Sequence, residues 1–284
     1  MKTLLTRSLS GVVFAAIMLL GFWHSRVSFI ALLFVINLGC LWEYYTITRP
    51  LYAIGRVSTK AYRIAGLVLG TLVFAFFAAH SLWWLPVEAS VLFVPLLYVF
   101  AALELRSLSP QAVRNASLNV FGLVYISATL GLLLLLTQRE SFYEDRVDWF
   151  PFRVAPVLGL LLLVWANDTF AYLGGSLFGR TKLYAEISPG KTWEGFATGV
   201  VFALAASYGL YLWLGVYSLR VWLGLALIAS CVGAVGDLFE SMIKRNVGIK
   251  DSGKIMPGHG GFLDRFDAFL FCAPFAWAWI RLST

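Results

Sequence analysis

Apolar stretches follow one another along this chain with little alternation between polar and apolar positions. About nine of them approach the roughly 17–25 residues that a helix needs to cross the hydrocarbon core of a bilayer. They run over 9–23, 27–45, 64–84, 89–103, 118–136, 154–178, 193–215, 221–243 and 266–280. Backbone groups in hydrocarbon must be satisfied within the protein, and uniformly apolar runs lack the two-residue alternation of a membrane barrel. The pattern predicts an all-α, polytopic membrane protein, a helical bundle of about nine transmembrane helices. The first run follows Lys2 and Arg7 and resembles a signal peptide, but no small-residue cleavage pattern follows LGFW. It reads as a retained first helix.

Composition sharpens this picture. Hydrophobic residues make up 60% of the chain, charged residues 13%, and the mean hydropathy is +0.80. Soluble domains, with about 45–50% apolar residues, are excluded. The basic residues set an orientation. With a cytoplasmic N-terminus, the inside segments hold Lys2, Arg7, Arg49, Arg56, Lys60, Arg63, Arg106, Arg114, Arg180, Lys182, Lys191, Lys244, Arg245, Lys250, Lys254 and Arg265. The outside keeps Arg26, Arg139, Arg146, Arg153, Arg220 and Arg281, and its loop ESFYEDRVDWF is locally acidic. This bias accounts for much of the net charge of +7 without any anionic partner. Cys40, Cys231 and Cys272 are scattered through apolar runs without metal or disulfide spacing and read as packing residues.

Polar groups inside or beside the later runs divide the chain into 1–150, N-terminal transmembrane helices, and 151–284, which carries the chemistry. Ionisable groups within membrane segments are costly and mark function by default. Asn167 and Asp168 sit in mid-run, with Tyr172 and Gly175 on Asp168's face at helical spacing. Such a face lines a polar cavity or ties helices together by hydrogen bonds. Next come Ser188, Lys191 and Thr192 in ISPGKTWEG. A Walker-type phosphate loop needs a glycine where Ala185 stands, and a preceding strand that is not expected here. A helix starting near Lys191 remains, its free amides suited to an anion or capped by Ser188.

In AVGDLFESMIKR, Asp237, Ser241 and Lys244 share one helix face, with Glu240 beside them. The following stretch KDSGKIMPGHGGFLDRFDAF packs Lys250, Asp251, His259, Asp264, Arg265 and Asp267 among four glycines. Carboxylates from different segments can share a hard cation such as Mg²⁺, which prefers oxygen ligands and keeps water or phosphate in its shell. Of the histidines, only His259 is near this chemistry, so a histidine-based zinc site is not expected.

The run SMIKRNVGIKDSGKIMPGHGGFLDRFD, residues 241–267, closely resembles the signature of the phosphatidate cytidylyltransferases. Upstream, NDTFAYLGGSLFGRTKL and ISPGKTWEG resemble that family's second conserved region, with departures at Arg180 and Gly190, where lysine is common. The N-terminal spans match only in hydropathy. The resemblance implies transfer of CMP from CTP to phosphatidate, yielding CDP-diacylglycerol and pyrophosphate, with a divalent metal required. On this reading Asp237, Lys244, Asp264, Arg265 and Asp267 are catalytic. Asp237 and Asp264 hold Mg²⁺, and Asp267 assists them or holds a second cation. Asn167, Asp168, Ser188, Lys191, Thr192, Arg245, Lys250, Asp251 and His259 bind substrate. The partners implied are CTP, phosphatidate and membrane lipids, with no nucleic acid; a homodimer is compatible with the sequence. A bacterial inner membrane with the site facing the cytoplasm is the expected location. A CTP-dependent lipid kinase, an ether-lipid cytidylyltransferase and an ion-coupled transporter are the alternatives.

Overall fold

The structure, a computed structural model, describes residues 2–52, 55–82, 84–86, 88–89, 93–137, 154–253 and 260–284. Every apolar run falls largely within a helix. The helices are α1 (Lys2–His24), α2 (Arg26–Ile47), α3 (Thr59–Ser81), α4 (Phe93–Ser107), α5 (Ala112–Leu135), α6 (Ala155–Phe178), α7 (Trp193–Leu214), α8 (Leu219–Asn246) and α9 (Leu263–Ser283). Among the described residues, six of these, α2, α3, α5, α6, α7 and α8, are long and apolar enough to span a bilayer, as befits an integral membrane protein. Six of the nine expected crossings meet this measure among the described residues. Of the other three, α1 is described as an apolar helix over Ser10–His24, α4 has 15 residues, and α9 carries Asp264, Arg265, Asp267 and Arg281. The outer loop ESFYEDRVDWF lies outside the described residues.

The helical reading also missed a short ribbon. β1 (Lys182–Tyr184) and β2 (Ser188–Thr192) pair antiparallel, with Lys182 opposite Thr192 and Tyr184 opposite Ser188. The ribbon is mostly exposed, and its five-residue second strand includes Pro189 and Gly190, so hydropathy could not reveal it.

Two spanning helices contain a π turn, Leu123–Ala128 in α5 and Ile228–Val232 in α8. A π turn disturbs the regular ladder, and in a bilayer side chains take up the exposed carbonyls. Thr129 Oγ1 donates to the Val124 carbonyl at 3.0 Å, and the Cys272 thiol donates to that of Ile228 at 3.4 Å. Cys40 and Cys272 are buried, and Cys231 is exposed.

The chain forms two compact units. The first comprises Met1–Gly21, Arg26–Leu135 and Asn246–Arg265, so the glycine-rich segment packs with N-terminal helices. In it, the Tyr44 and Tyr45 hydroxyls cross from α2 to the α5 carbonyls of Leu118 and Asn119, each at 2.9 Å. Buried tyrosines need such partners, and these bonds set the rotation of α2 against α5. Leu69, Phe100 and Leu123 fill the space between α3, α4 and α5.

The second unit comprises Phe22–Ser25, Leu136–Arg245 and Phe266–Thr284. Two indoles tie it together: Trp222 Nε1 donates to the Val216 carbonyl at 2.7 Å and Trp279 Nε1 to that of Val221 at 3.0 Å. Its closest seam joins α6 to α7. A Cβ on Gly195 would stand 2.6 Å from the Ala171 carbonyl oxygen and 3.0 Å from Gly175 Cα, so the two backbones touch. Small residues allow such an approach, which in lipid replaces the missing hydrophobic drive between helices.

Candidate functional site

Within the second unit, the α6–α7 seam delivers the ribbon. Helix α7 begins at Trp193, two residues later than expected. Thr192 is its N-cap, with the hydroxyl oxygen accepting from Gly195 N–H at 3.1 Å, while Ser188 lies in β2 and caps nothing. Trp193 N–H donates to the Thr181 carbonyl at 3.0 Å. Glu194, which sequence reading passed over, accepts from the amides of Arg180 and Thr181, each at 3.1 Å, and fastens the chain leaving α6 to the start of α7. These bonds hold Lys191 one residue before a fixed cap. Replacing Thr192 with alanine is expected to cost about 1 kcal/mol and lower Tm by about 2–4 °C, with serine restoring most of it. Thermal unfolding of the detergent-purified variants checks this.

Lys191 Nζ meets Asp237 Oδ2 of α8 at 2.6 Å. Asp237 also lies within weak reach of Ser241 Oγ, at 3.4 Å, as their i,i+4 spacing predicts. Lys244, expected on that same face, pairs with the neighbouring Glu240, and both are buried. Gly236 brings α8 onto α9: a Cβ there would stand 3.0 Å from the Asp267 carbonyl oxygen and 2.6 Å from Phe271 Cβ. Asp267, whose Oδ1 accepts from Ala268 N–H at 2.7 Å, is thereby brought within electrostatic reach of Asp237, Glu240 and Asp168. Two ion pairs, Lys191–Asp237 and Lys244–Glu240, thus lie at α8 beside the Gly236 contact that brings Asp267 of α9 close.

Asn167 is buried and donates to Asp168 Oδ1 at 3.3 Å, while its own amide oxygen packs against Gly199 of α7. Asp168 and Tyr172 are exposed, but Gly175 turns into the α6–α7 seam. The expected face is therefore shorter than drawn, because close backbone packing claims its last member. Arg245 is exposed, and Ser188 is half-buried.

In the first unit, the segment ahead of α9 is organised around Asp264. Its carboxylate accepts from Ser252 N–H at 2.9 Å and Gly261 N–H at 2.8 Å, tying both residues to the start of α9. Gly260 adopts φ +79°, a left-handed conformation suited to glycine. Glu43 of α2, another carboxylate overlooked inside an apolar run, accepts from Ser252 and Leu263. It was detectable, since a carboxylate within run 27–45 is itself a functional signal. Lys250, Asp251 and Arg265 are exposed. His259 and Lys254 lie outside the described residues. Among the described residues, no three of His, Cys, Asp or Glu converge as a metal site.

A sequence model of the cytidylyltransferase family matches residues 5–283. The chain belongs to the cytidylyltransferase family. Among curated members, it is similar to the phosphatidate cytidylyltransferase of Staphylococcus aureus (strain COL), 45% identical over 135 residues, 47% of this chain and 50% of that protein. The proteins of the same name from Staphylococcus haemolyticus (strain JCSC1435) and Staphylococcus epidermidis (strain ATCC 12228 / FDA PCI 1200) are 44% and 42% identical over the same length and shares. The match thus spans about half the length of these relatives.

Proposed function

We propose that this family member transfers CMP from CTP to phosphatidate, forming CDP-diacylglycerol and pyrophosphate in phospholipid synthesis. The observation that carries the reading is the Lys191–Asp237 ion pair, which joins two separate motif segments into one acid-and-base patch. The relatives' name supplies the substrate pair. A phosphatidate phosphate oxygen is already anionic, so attack on the α-phosphorus of CTP needs no strong base. One P–O bond forms as the α–β bridge breaks, and the electron pair leaves with pyrophosphate. The barrier lies in aligning two polyanions and stabilising the charge on the leaving group. Lys191, Lys244, Arg245, Lys250 and Arg265 bind the phosphates in this scheme. Asn167, Asp168, Ser188, Thr192, Asp251 and His259 line the substrates.

The donor chemistry suits Mg²⁺. Asp237 and Asp264 each offer hard oxygen donors, and Mg²⁺ commonly takes only one or two carboxylates, filling its shell with water and phosphate. Asp237 and Asp264 would hold it, with Asp267 assisting or holding a second cation; backbone amides already fix the Asp264 carboxylate. Bound there, the ion would supply charge stabilisation on the phosphate oxygens. The same scheme takes nine crossings, a cytoplasmic N-terminus and a site on the inner face of a bacterial inner membrane, with phosphatidate entering sideways from the bilayer. A homodimer is compatible with it.

The detergent-purified protein, given labelled CTP, phosphatidate and Mg²⁺, is expected to yield pyrophosphate and a CMP-bearing lipid. CDP with a phosphorylated alcohol would identify a lipid kinase, and neither product would return the reading to a transporter. Lys191→Ala and Lys244→Ala are each expected to lower turnover or raise a substrate KM at least tenfold, or about 1.4 kcal/mol. Wild-type kinetics in both would mean these bases serve topology alone.

A further inference from the structure

Glu43 stands on α2, outside the motif stretches of the C-terminal half, yet it meets residues on either side of the glycine-rich loop at several points. Its side chain is 3% exposed. Glu43 Oε2 accepts from the Ser252 hydroxyl at 2.6 Å and from Leu263 N–H at 2.9 Å, contacts across 209 and 220 residues of sequence. Gly253 and Gly261 lie so close to its carboxylate that any Cβ at either position would collide with it. One turn earlier on the same helix face, Gly39 receives the Phe262 ring, where a Cβ would stand 2.5 Å from the ring edge.

These contacts converge on the segment that carries Asp264. Ser252 is the link: its hydroxyl donates to Glu43, its N–H donates to Asp264, and its Oγ is 3.4 Å from Asp264 N. Leu263, held by Glu43, is the residue immediately before Asp264 and Arg265. A charge-assisted bond to a buried carboxylate is stronger than a neutral one and directional, so it suits the task of fixing backbone position. Burying this carboxylate is costly, and ordinary helix packing in a bilayer does not require one. Gly253 and Gly261, lacking side chains, leave the room that the Glu43 carboxylate occupies.

We propose that Glu43 is a positioning residue of the transferase site: it fixes the backbone of Ser252 and Leu263 against α2 and so holds Asp264 and Arg265 in working register. This rests on the reading of Asp264 and Arg265 as site residues. The test separates position from charge. Glu43→Ala removes both acceptor oxygens, whereas Glu43→Gln keeps one for Leu263 and Ser252 and discards the charge. Amide hydrogen exchange of the detergent-purified full chain is measured beside turnover of CTP and phosphatidate. In Glu43→Ala, peptides covering Ser252–Leu263 are expected to exchange at least ten times faster, with α6–α7 peptides unchanged and kcat at least tenfold lower. Glu43→Gln is expected to restore most of both. Should Glu43→Ala fail to fold, Ser252→Ala, which removes only the hydroxyl, is expected to give a smaller change of the same sign in both readouts.

Unaltered exchange in the segment would overturn the proposal. So would faster exchange with unchanged kinetics, which would make Glu43 purely structural. Equal loss of activity in the Gln and Ala variants, with exchange as in wild type, would show that Glu43 acts through its charge and would also overturn it. If the wild-type protein makes no CMP-bearing lipid, the functional reading falls, whereas the exchange comparison still decides whether Glu43 holds the segment.

Discussion

Asp237→Asn is expected to lower turnover of CTP and phosphatidate at least a hundredfold while leaving Tm within a few degrees of wild type. Asparagine preserves the shape of the side chain and an oxygen for Ser241, so packing of α8 is retained. It removes the anion that meets Lys191 and, under the proposed mechanism, the one that holds Mg²⁺. Loss of a single preorganised electrostatic element of this kind costs about 2.7–4 kcal/mol, a factor of roughly 10²–10³ in kcat. CDP-diacylglycerol formation at saturating CTP, followed over a Mg²⁺ titration, measures it. The variant should also require more Mg²⁺ for half-maximal rate. Near-normal turnover with unchanged metal dependence would remove Asp237 from the site.

Gly195→Ala is expected to have the largest effect on stability, and to reduce activity through it. The added methyl group would stand 2.6 Å from the Ala171 carbonyl oxygen and 3.0 Å from Gly175 Cα. Both are backbone atoms, so no rotamer change relieves the clash and α6 must move from α7. Overpacking of this sort costs about 1–3 kcal/mol, or roughly 5 °C in Tm at the middle of that range. Gly195 also supplies the N–H that Thr192 caps, so the shift displaces the ribbon bearing Lys191. Gly209→Ala is the control on the same helix, since a Cβ there would meet nothing within 4 Å. Thermal unfolding in detergent should separate the two, with Gly209→Ala unchanged or slightly stabilised as a better helix former.

The helices were legible because their signal is local. A run such as 154–178 must bury its backbone polar groups whatever surrounds it, and α6 occupies Ala155–Phe178. The i,i+4 neighbourhood of Asp237 and Ser241 was legible for the same reason. The ribbon was not, because SPGKT pairs with KLY through backbone bonds that composition does not encode. The Thr192 cap was blurred by the nearby Ser188, an equally good capping residue type. Lys244 was placed on its helix face with Glu240 beside it, but the pairing of the two was not drawn; their i,i+4 spacing permits it and burial of both side chains favours it.

Sequence alone determined that this chain crosses a membrane as helices, that polar motif stretches interrupt its later apolar runs, and that the run from Ser241 to Asp267 resembles the family's signature. Each of these depends on residue type and short spacing, which the primary structure states directly. Only the tertiary structure decided that Lys191 pairs with Asp237, that Gly236 packs against Asp267, and that Glu43 reaches across 209 residues to hold Ser252. Those choices follow from which backbones approach closely enough, at Gly195, Gly236, Gly253 and Gly261, to bring distant charges together. Close approach is a property of two surfaces at once, and one sequence written in a line does not contain it locally.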